Sequence, residues 1–295
     1  MFFPPQIDDV SAHFPAFQFQ SLIGSGTFKV AYKVKSGDRL ETLKLFHLPD
    51  FSSAPDPASA HKNFVGRLSR EVELLGLCNC PHLVKLGSVT PKEINVVGTN
   101  FIAYSEEFLD GEQLRAVIAR RTLPSEGDLL LLLRCLVLAI TDLWEDHHCV
   151  HRDIKPENII RRSQTTLGFT LFDLGITFVV GGTRFTDPGI SPGTPPYRAP
   201  EMLDANYADN LDARTDLYSI GVTVFEYACG HHPLEPFLPH ISIDSLILSK
   251  PPTPLETYRP DLSSETCQLI NRLNRKRAPL RGSLKLIRTE LGFPS

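Results

Sequence analysis

Near residue 110 the sequence changes character. From residue 17 to about 104, short β-like runs (FQFQSLI, VAYKV, TLKLF, HLVKLGSV, INVVG, FIAYS) alternate with turn residues such as Ser36, Gly37 and Asp38. One helical pattern interrupts them, from roughly Phe64 to Leu77, with Phe64, Leu68, Val72 and Leu75 at helical spacing. The Pro- and Ser-rich PDFSSAPDPASA ahead of it reads as a flexible loop insert. Beyond residue 112 helical patterns dominate, at Leu114 to Arg121, Asp128 to Trp144, Thr215 to Cys229 and Glu265 to Asn274, with strand-like pieces at 158–161 and 168–172. A chain written this way is expected to fold as α+β: a small antiparallel β-rich lobe with one helix, and a larger, mainly helical lobe. At 295 residues with 42% hydrophobic content it has the apolar material for both.

Several function classes are disfavoured. A formal net charge of −4 argues against a broad nucleic-acid surface, and the basic group Arg272, Arg275, Lys276, Arg277 and Arg281 reads as a solvated helix end. The opening MFFPPQIDDV has no positive n-region, and the longest apolar run, Leu129 to Ile140, is too short to span a bilayer and contains Arg134. Six cysteines are scattered without paired spacings, which fits a reducing compartment. The expectation is a soluble, cytoplasmic protein with no nucleic-acid or membrane partner. HHCVH at 147–151 offers possible zinc ligands, but adjacent ligands on one segment rarely all face a tetrahedral centre.

The chemistry-bearing residues come in a fixed order. LIGSGTFKVAYKV sets Gly24 and Gly26 between β-like flanks, where backbone without Cβ can approach a phosphate or simply turn a hairpin. TLKLF puts Lys44 in an apolar strand, either facing water from a sheet edge or paired with an anion such as Glu71 on the following helical pattern. VHRDIKPENII gathers Asp153, Lys155 and Asn158, and Pro156 keeps them out of a regular strand or helix, so they project from a loop. LFDLG then places Asp173 at the end of an apolar run, a second carboxylate able to meet a metal ion near Asn158, and PGTPPYRAPE follows at 192–201.

In this order the segments resemble a eukaryotic-type (Hanks-type) serine/threonine protein kinase catalytic domain, from about Phe17 to Leu291. The resemblance implies an N-terminal extension at 1–16, a small lobe at about 17–107, a hinge at about 107–111 and a large lobe at about 112–291. GSGTF matches the glycine-rich loop, TLK the β3 lysine, Glu71 the αC glutamate, HRDIKPEN the catalytic loop and DLG the metal-binding motif. DLYSIG and Arg281, expected to pair with Glu201 of APE, extend the match.

What the resemblance implies is ATP-dependent phosphoryl transfer to a protein hydroxyl, with magnesium, or manganese in its place. Asp153 would orient the hydroxyl and accept its proton, Lys155 would neutralise the transferring phosphate, and Asn158 and Asp173 would carry the metal. ATP would contact Ile23, Gly24, Ser25, Gly26, Ala31, Thr42, Lys44 held by Glu71, Glu107, Leu109 and Ile160. Lys155 and Thr194 resemble serine/threonine rather than tyrosine kinases. Arg152 is placed to receive a phosphorylated activation loop, whose candidates are Thr183, Thr186 and Ser191.

Three residues depart from the family pattern. Lys29 stands at the third loop glycine, Thr42 at the alanine over adenine, and Glu106 at the gatekeeper. A pseudokinase would share the fold without turnover, and the intact Lys44, Glu71, Asp153, Asn158 and Asp173 weigh against it. Small-molecule kinases use a similar two-lobed site but generally lack the APE segment found at Gly193 to Glu201.

Overall fold

The computed structural model describes residues 4–26, 29–48, 51–52, 55–174, 178–179, 193–204, 211–237 and 240–293, with backbone alone at 67, 70, 71, 165, 178 and 179. The chain divides into two compact units, Met1–Cys78 with Val84–Leu109, and Asn79–Leu83 with Asp110–Ser295.

In the first unit a short helix α1 (Ile7–Ser11) precedes five antiparallel strands, β1 (Phe17–Ser25), β2 (Lys29–Ser36), β3 (Arg39–His47), β4 (Lys92–Val96) and β5 (Thr99–Glu107), in sheet order β1-β2-β3-β5-β4. Alternation sorts the side chains: Val30, Tyr32 and Val34 of β2 face the core that Leu43, Leu45, Phe101 and Ala103 share, while Lys29, Ala31 and Lys33 point the other way. The segment ahead of β1 is part of this core. Val10, Phe14 and Phe17 pack into it, the Tyr32 hydroxyl donates to the Pro5 carbonyl, and Lys92 Nζ lies 4.1 Å from the Phe14 ring centroid.

Two expectations for this unit are corrected. Helix α2 runs Pro57–Leu77, so the last four residues of the proline-rich stretch, Pro57 to Ala60, are helical. Asp56 caps the helix by accepting from the Ser59 amide at 3.1 Å, and Pro57 opens the first turn, where its missing N–H costs nothing. HLVKLGSV forms no continuous strand. It contributes isolated bridges at Leu83 and Leu86. Residues 85–89 instead follow β5 through three backbone bonds, Glu107 N to Lys85 O, Gly87 N to Ser105 O and Ser105 N to Val89 O. Gly87 allows the close approach, since a Cβ there would lie 2.4 Å from Ser105 Oγ.

The second unit is built on α4 (Glu126–Thr141) and α5 (Ala213–Cys229), which pack on each other. Ser125 and Asp128 form a capping box at the start of α4, whose Leu129, Leu132, Leu133 and Leu136 are buried. The helix gives way to a π turn at Asp142–Asp146 rather than continuing regularly to Trp144. Asp212 caps α5, and Gly230 ends it at φ 74°. Strands β6 (Gly111–Gln113), β8 (Ile159–Arg162) and β9 (Phe169–Leu171) form a small antiparallel sheet, and β7 (Cys149–Val150) pairs with β10 (Phe178–Val179). Helices α3 (Leu114–Ala119), α6 (Ile243–Ser249), α7 (Ser264–Leu273) and α8 (Leu284–Glu290) complete it. Among the described residues no helix is long and apolar enough to cross a membrane.

Candidate active site

Within the second unit, the segment 151–158 hangs between β7 and β8 and is fixed from below by α5. The Asp216 carboxylate, fully buried, accepts the amide N–H groups of His151 at 2.8 Å and Arg152 at 2.9 Å. Burial pushes the Asp216 carboxyl up to about 7, against the pull of those two bonds. Arg152 is held at φ 69°, a left-handed conformation that a residue with a Cβ adopts only when its surroundings impose it. Asp173 has the same φ of 69°.

Around Asp153 four groups converge. Lys155 Nζ donates to Oδ2 at 2.7 Å and also to the Thr194 hydroxyl. The Thr194 amide and hydroxyl both donate to Oδ1, at 3.0 and 2.8 Å. Asn158 Nδ2 donates to Oδ2 at 3.0 Å and to the Asp153 carbonyl at 2.8 Å, so the amide oxygen is the atom Asn158 can offer to a cation. The Phe172 amide donates to the Asn158 carbonyl at 2.9 Å, which ties the backbone leading to Asp173 to the same loop. Asp153, Lys155, Asn158 and Thr194 are therefore brought together as a hydrogen-bonded cluster. His151 beside them is completely buried, and burial lowers its imidazole to about 4, keeping it neutral.

The segment that supplies Thr194 is anchored at both ends. Gly193 has φ 90°, and a Cβ there would lie 2.6 Å from the Arg152 carbonyl, so this close pass over the 151–158 segment requires glycine. Downstream, Glu201 and Arg281 form a bidentate pair at 2.6 and 2.8 Å, and Arg281 also donates to the carbonyls of Arg214, Arg275 and Lys276. Sequence reasoning missed a second network. Arg115 of α3 donates to Glu157 at 2.6 Å and to Glu226 of α5 at 2.5 Å, and the Tyr197 hydroxyl donates to Glu226 at 2.5 Å. Burial and Glu226 together hold the Tyr197 phenol well above its ordinary range.

Within the first unit, Gly24 pairs with Ala31 in the β1–β2 hairpin, and the Gly26 amide donates to the Lys29 carbonyl at 2.8 Å. A Cβ at Gly24 would meet nothing within 4 Å, so the space beside this backbone is open. Ile23 is 45% exposed, on the strand leading into the loop. Lys44 is buried in β3, paired with Ala31 and Tyr104 in register. Its Nζ donates to Glu106 Oε1 at 2.6 Å, a partner the sequence did not suggest. Glu71 lies on α2, and its side chain is outside the described residues. Glu107 ends β5 and accepts from the Lys85 amide at 3.0 Å, with Leu109 closing the unit. Ile160 is on β8 of the second unit. Thr183, Thr186 and Ser191 lie outside the described residues.

A family model described as protein kinase domain matches residues 17–290. Among curated proteins, the chain is 28% identical over 220 residues to myosin light chain kinase A of Dictyostelium discoideum, covering 74% of this chain and 68% of that protein. It is 28% identical over 251 residues to mitogen-activated protein kinase kinase 7 of Arabidopsis thaliana, covering 78% and 75%. Against the carbon catabolite-derepressing protein kinase of Saccharomyces cerevisiae it is 27% identical over 228 residues, a match spanning only 32% of that longer protein. Because the family match runs from the start of β1 to the end of α8, the chain belongs to the protein kinase domain family, as a eukaryotic-type serine/threonine protein kinase catalytic domain.

Proposed function

We propose that the chain transfers the γ-phosphate of ATP to serine or threonine hydroxyls of protein substrates. The observation that carries this reading is the carboxylate of Asp153, held by Lys155, Asn158 and Thr194 at once. A carboxylate so restrained is suited to orient an incoming hydroxyl and accept its proton, rather than to serve as a surface charge. The substrate oxygen forms the new bond to phosphorus, the bond from the γ-phosphorus to the β–γ bridging oxygen breaks, and ADP departs. Lys155, 2.7 Å from Asp153, would offset charge on the transferring phosphoryl group.

Asn158 and Asp173 would hold magnesium through hard oxygen ligands, which supplies charge neutralisation at the phosphate oxygens. In the first unit, Gly24 to Lys29 would cover the phosphates, Lys44 would bind them, and Ile23, Ala31, Thr42, Glu107 and Leu109 would line the nucleotide. Autophosphorylation at Thr183 or Thr186, with Arg152 receiving the phosphate, and a cytoplasmic location belong to the same proposal.

The test is radiolabelled ATP with magnesium, offered with a generic basic protein and, separately, with small hydroxylated metabolites. Acid-stable label on serine or threonine of the protein, or of the chain itself, supports the reading. Label on a metabolite alone contradicts it.

A further inference from the structure

The anion nearest the Lys44 ammonium in the described sheet is carried by that sheet. In the β3–β5 register Thr42 faces Glu106 and Lys44 faces Tyr104, so these four side chains share one face and Lys44 and Glu106 are diagonal neighbours. Lys44 Nζ lies 2.6 Å from Glu106 Oε1, with side-chain exposures of 6% and 3%. The Tyr104 hydroxyl donates to the same oxygen at 3.3 Å, and the Tyr104 ring stacks on Phe46 at 5.7 Å, which holds that hydroxyl in place. A carboxylate this deep keeps its charge only beside a cation. The bond to Glu106 fixes the direction in which the Lys44 stem extends across the sheet face.

We propose that Glu106 is a positioning residue for phosphoryl transfer, holding Lys44 aimed at the nucleotide phosphates before ATP binds. The proposal rests on the kinase reading above. Lys44 then has an anchor on its own rigid sheet, in addition to whatever α2 contributes, and less ordering remains to be done when nucleotide arrives.

The test compares the full chain with Glu106→Gln, Glu106→Asp, Lys44→Met and the double variant Lys44→Met/Glu106→Gln. Gln keeps the shape and loses the charge, whereas Asp keeps the charge on a shorter stem. The expected result is a KM for ATP raised about fivefold or more in Glu106→Gln with a smaller change in kcat, and recovered in large part by Glu106→Asp. In thermal unfolding, Lys44→Met is expected to lower Tm by stranding the carboxylate, and adding Glu106→Gln to restore most of the loss.

An unchanged KM in Glu106→Gln overturns the proposal. So does a lowered one, which would mean that Glu106 competes with the phosphates for Lys44. Additive Tm changes in the double variant overturn the pairing itself. A wild type that neither binds nor turns over ATP refutes the kinase reading, whereas an active wild type with an indifferent Glu106→Gln refutes this inference alone.

Discussion

Arg281, with no exposed surface, grips Glu201 through two parallel bonds of 2.6 and 2.8 Å while its remaining donors reach three backbone carbonyls. The residues are 80 positions apart, yet the pair fastens the segment bearing Thr194 to the base of α5, where Thr215 also donates to Glu201 at 3.0 Å. Replacing Arg281 with Met leaves a carboxylate and several carbonyls without their partner. The expected loss is about 3–5 kcal/mol of unfolding free energy, read from urea denaturation. A loss below about 1 kcal/mol would show that the pair is solvated and dispensable.

His232 gives the second unit a pH dependence of known sign. It is 4% exposed; its Nε2 lies 2.9 Å from the Pro196 carbonyl and its Nδ1 accepts from the Leu234 amide at 3.1 Å. The neutral ring satisfies both contacts, and a second proton on Nδ1 would break the one to Leu234. Burial therefore lowers the imidazole below its ordinary value, opposed by the Pro196 carbonyl and the nearby Glu226 and Glu235. The unfolded chain takes up a proton below about 6.5 that the folded chain resists, so stability is present above that pH and is lost as pH falls through it. From pH 8 to pH 5 the denaturation midpoint of His232→Gln should gain on that of the wild type, a difference from which the contributions of Asp216 and His151, shared by both proteins, cancel. Equal slopes would remove His232 as the cause.

Phe14 tests where the first unit begins. Its ring is 4% exposed, stacks on Phe17 at 5.9 Å and lies in the core shared with Val30, Tyr32 and Leu43. Phe14→Ala is expected to cost about 3 kcal/mol, because the sheet cannot close over the space left. A change within about 0.5 kcal/mol would mean that the segment before β1 contributes no core.

The parts of this protein that could be read from its sequence are those written in contiguous residues. Asp153, Lys155 and Asn158 fall within one segment that Pro156 keeps out of a strand or α-helix, although Pro156–Asn158 close a single 3-10 turn, and the structure brings them together with Thr194. What could not be read depends on register and on distant partners. Glu106 meets Lys44 because two strands pair with Thr42 opposite Glu106, which no local pattern announces. Arg115 reaches Glu157 and Glu226, 42 and 111 residues away, from a helix of ordinary amphipathic texture. Helix α1 has five residues and one buried side chain, too little to show a period. The early start of α2 was legible after all in Asp56 followed by Pro57, a capping signature hidden within a proline-rich stretch that otherwise reads as loop.

The central claim is that Asp153 receives the proton of the substrate hydroxyl. The most direct measurement is the rate of phosphate transfer from magnesium-ATP by the wild type and by Asp153→Asn, alongside the ATP dissociation constant of each. The account predicts a loss of about 10²–10⁴-fold in kcat with ATP affinity nearly unchanged, because Asn keeps hydrogen bonds to the loop but cannot take the proton. Equal rates in the two proteins would contradict it.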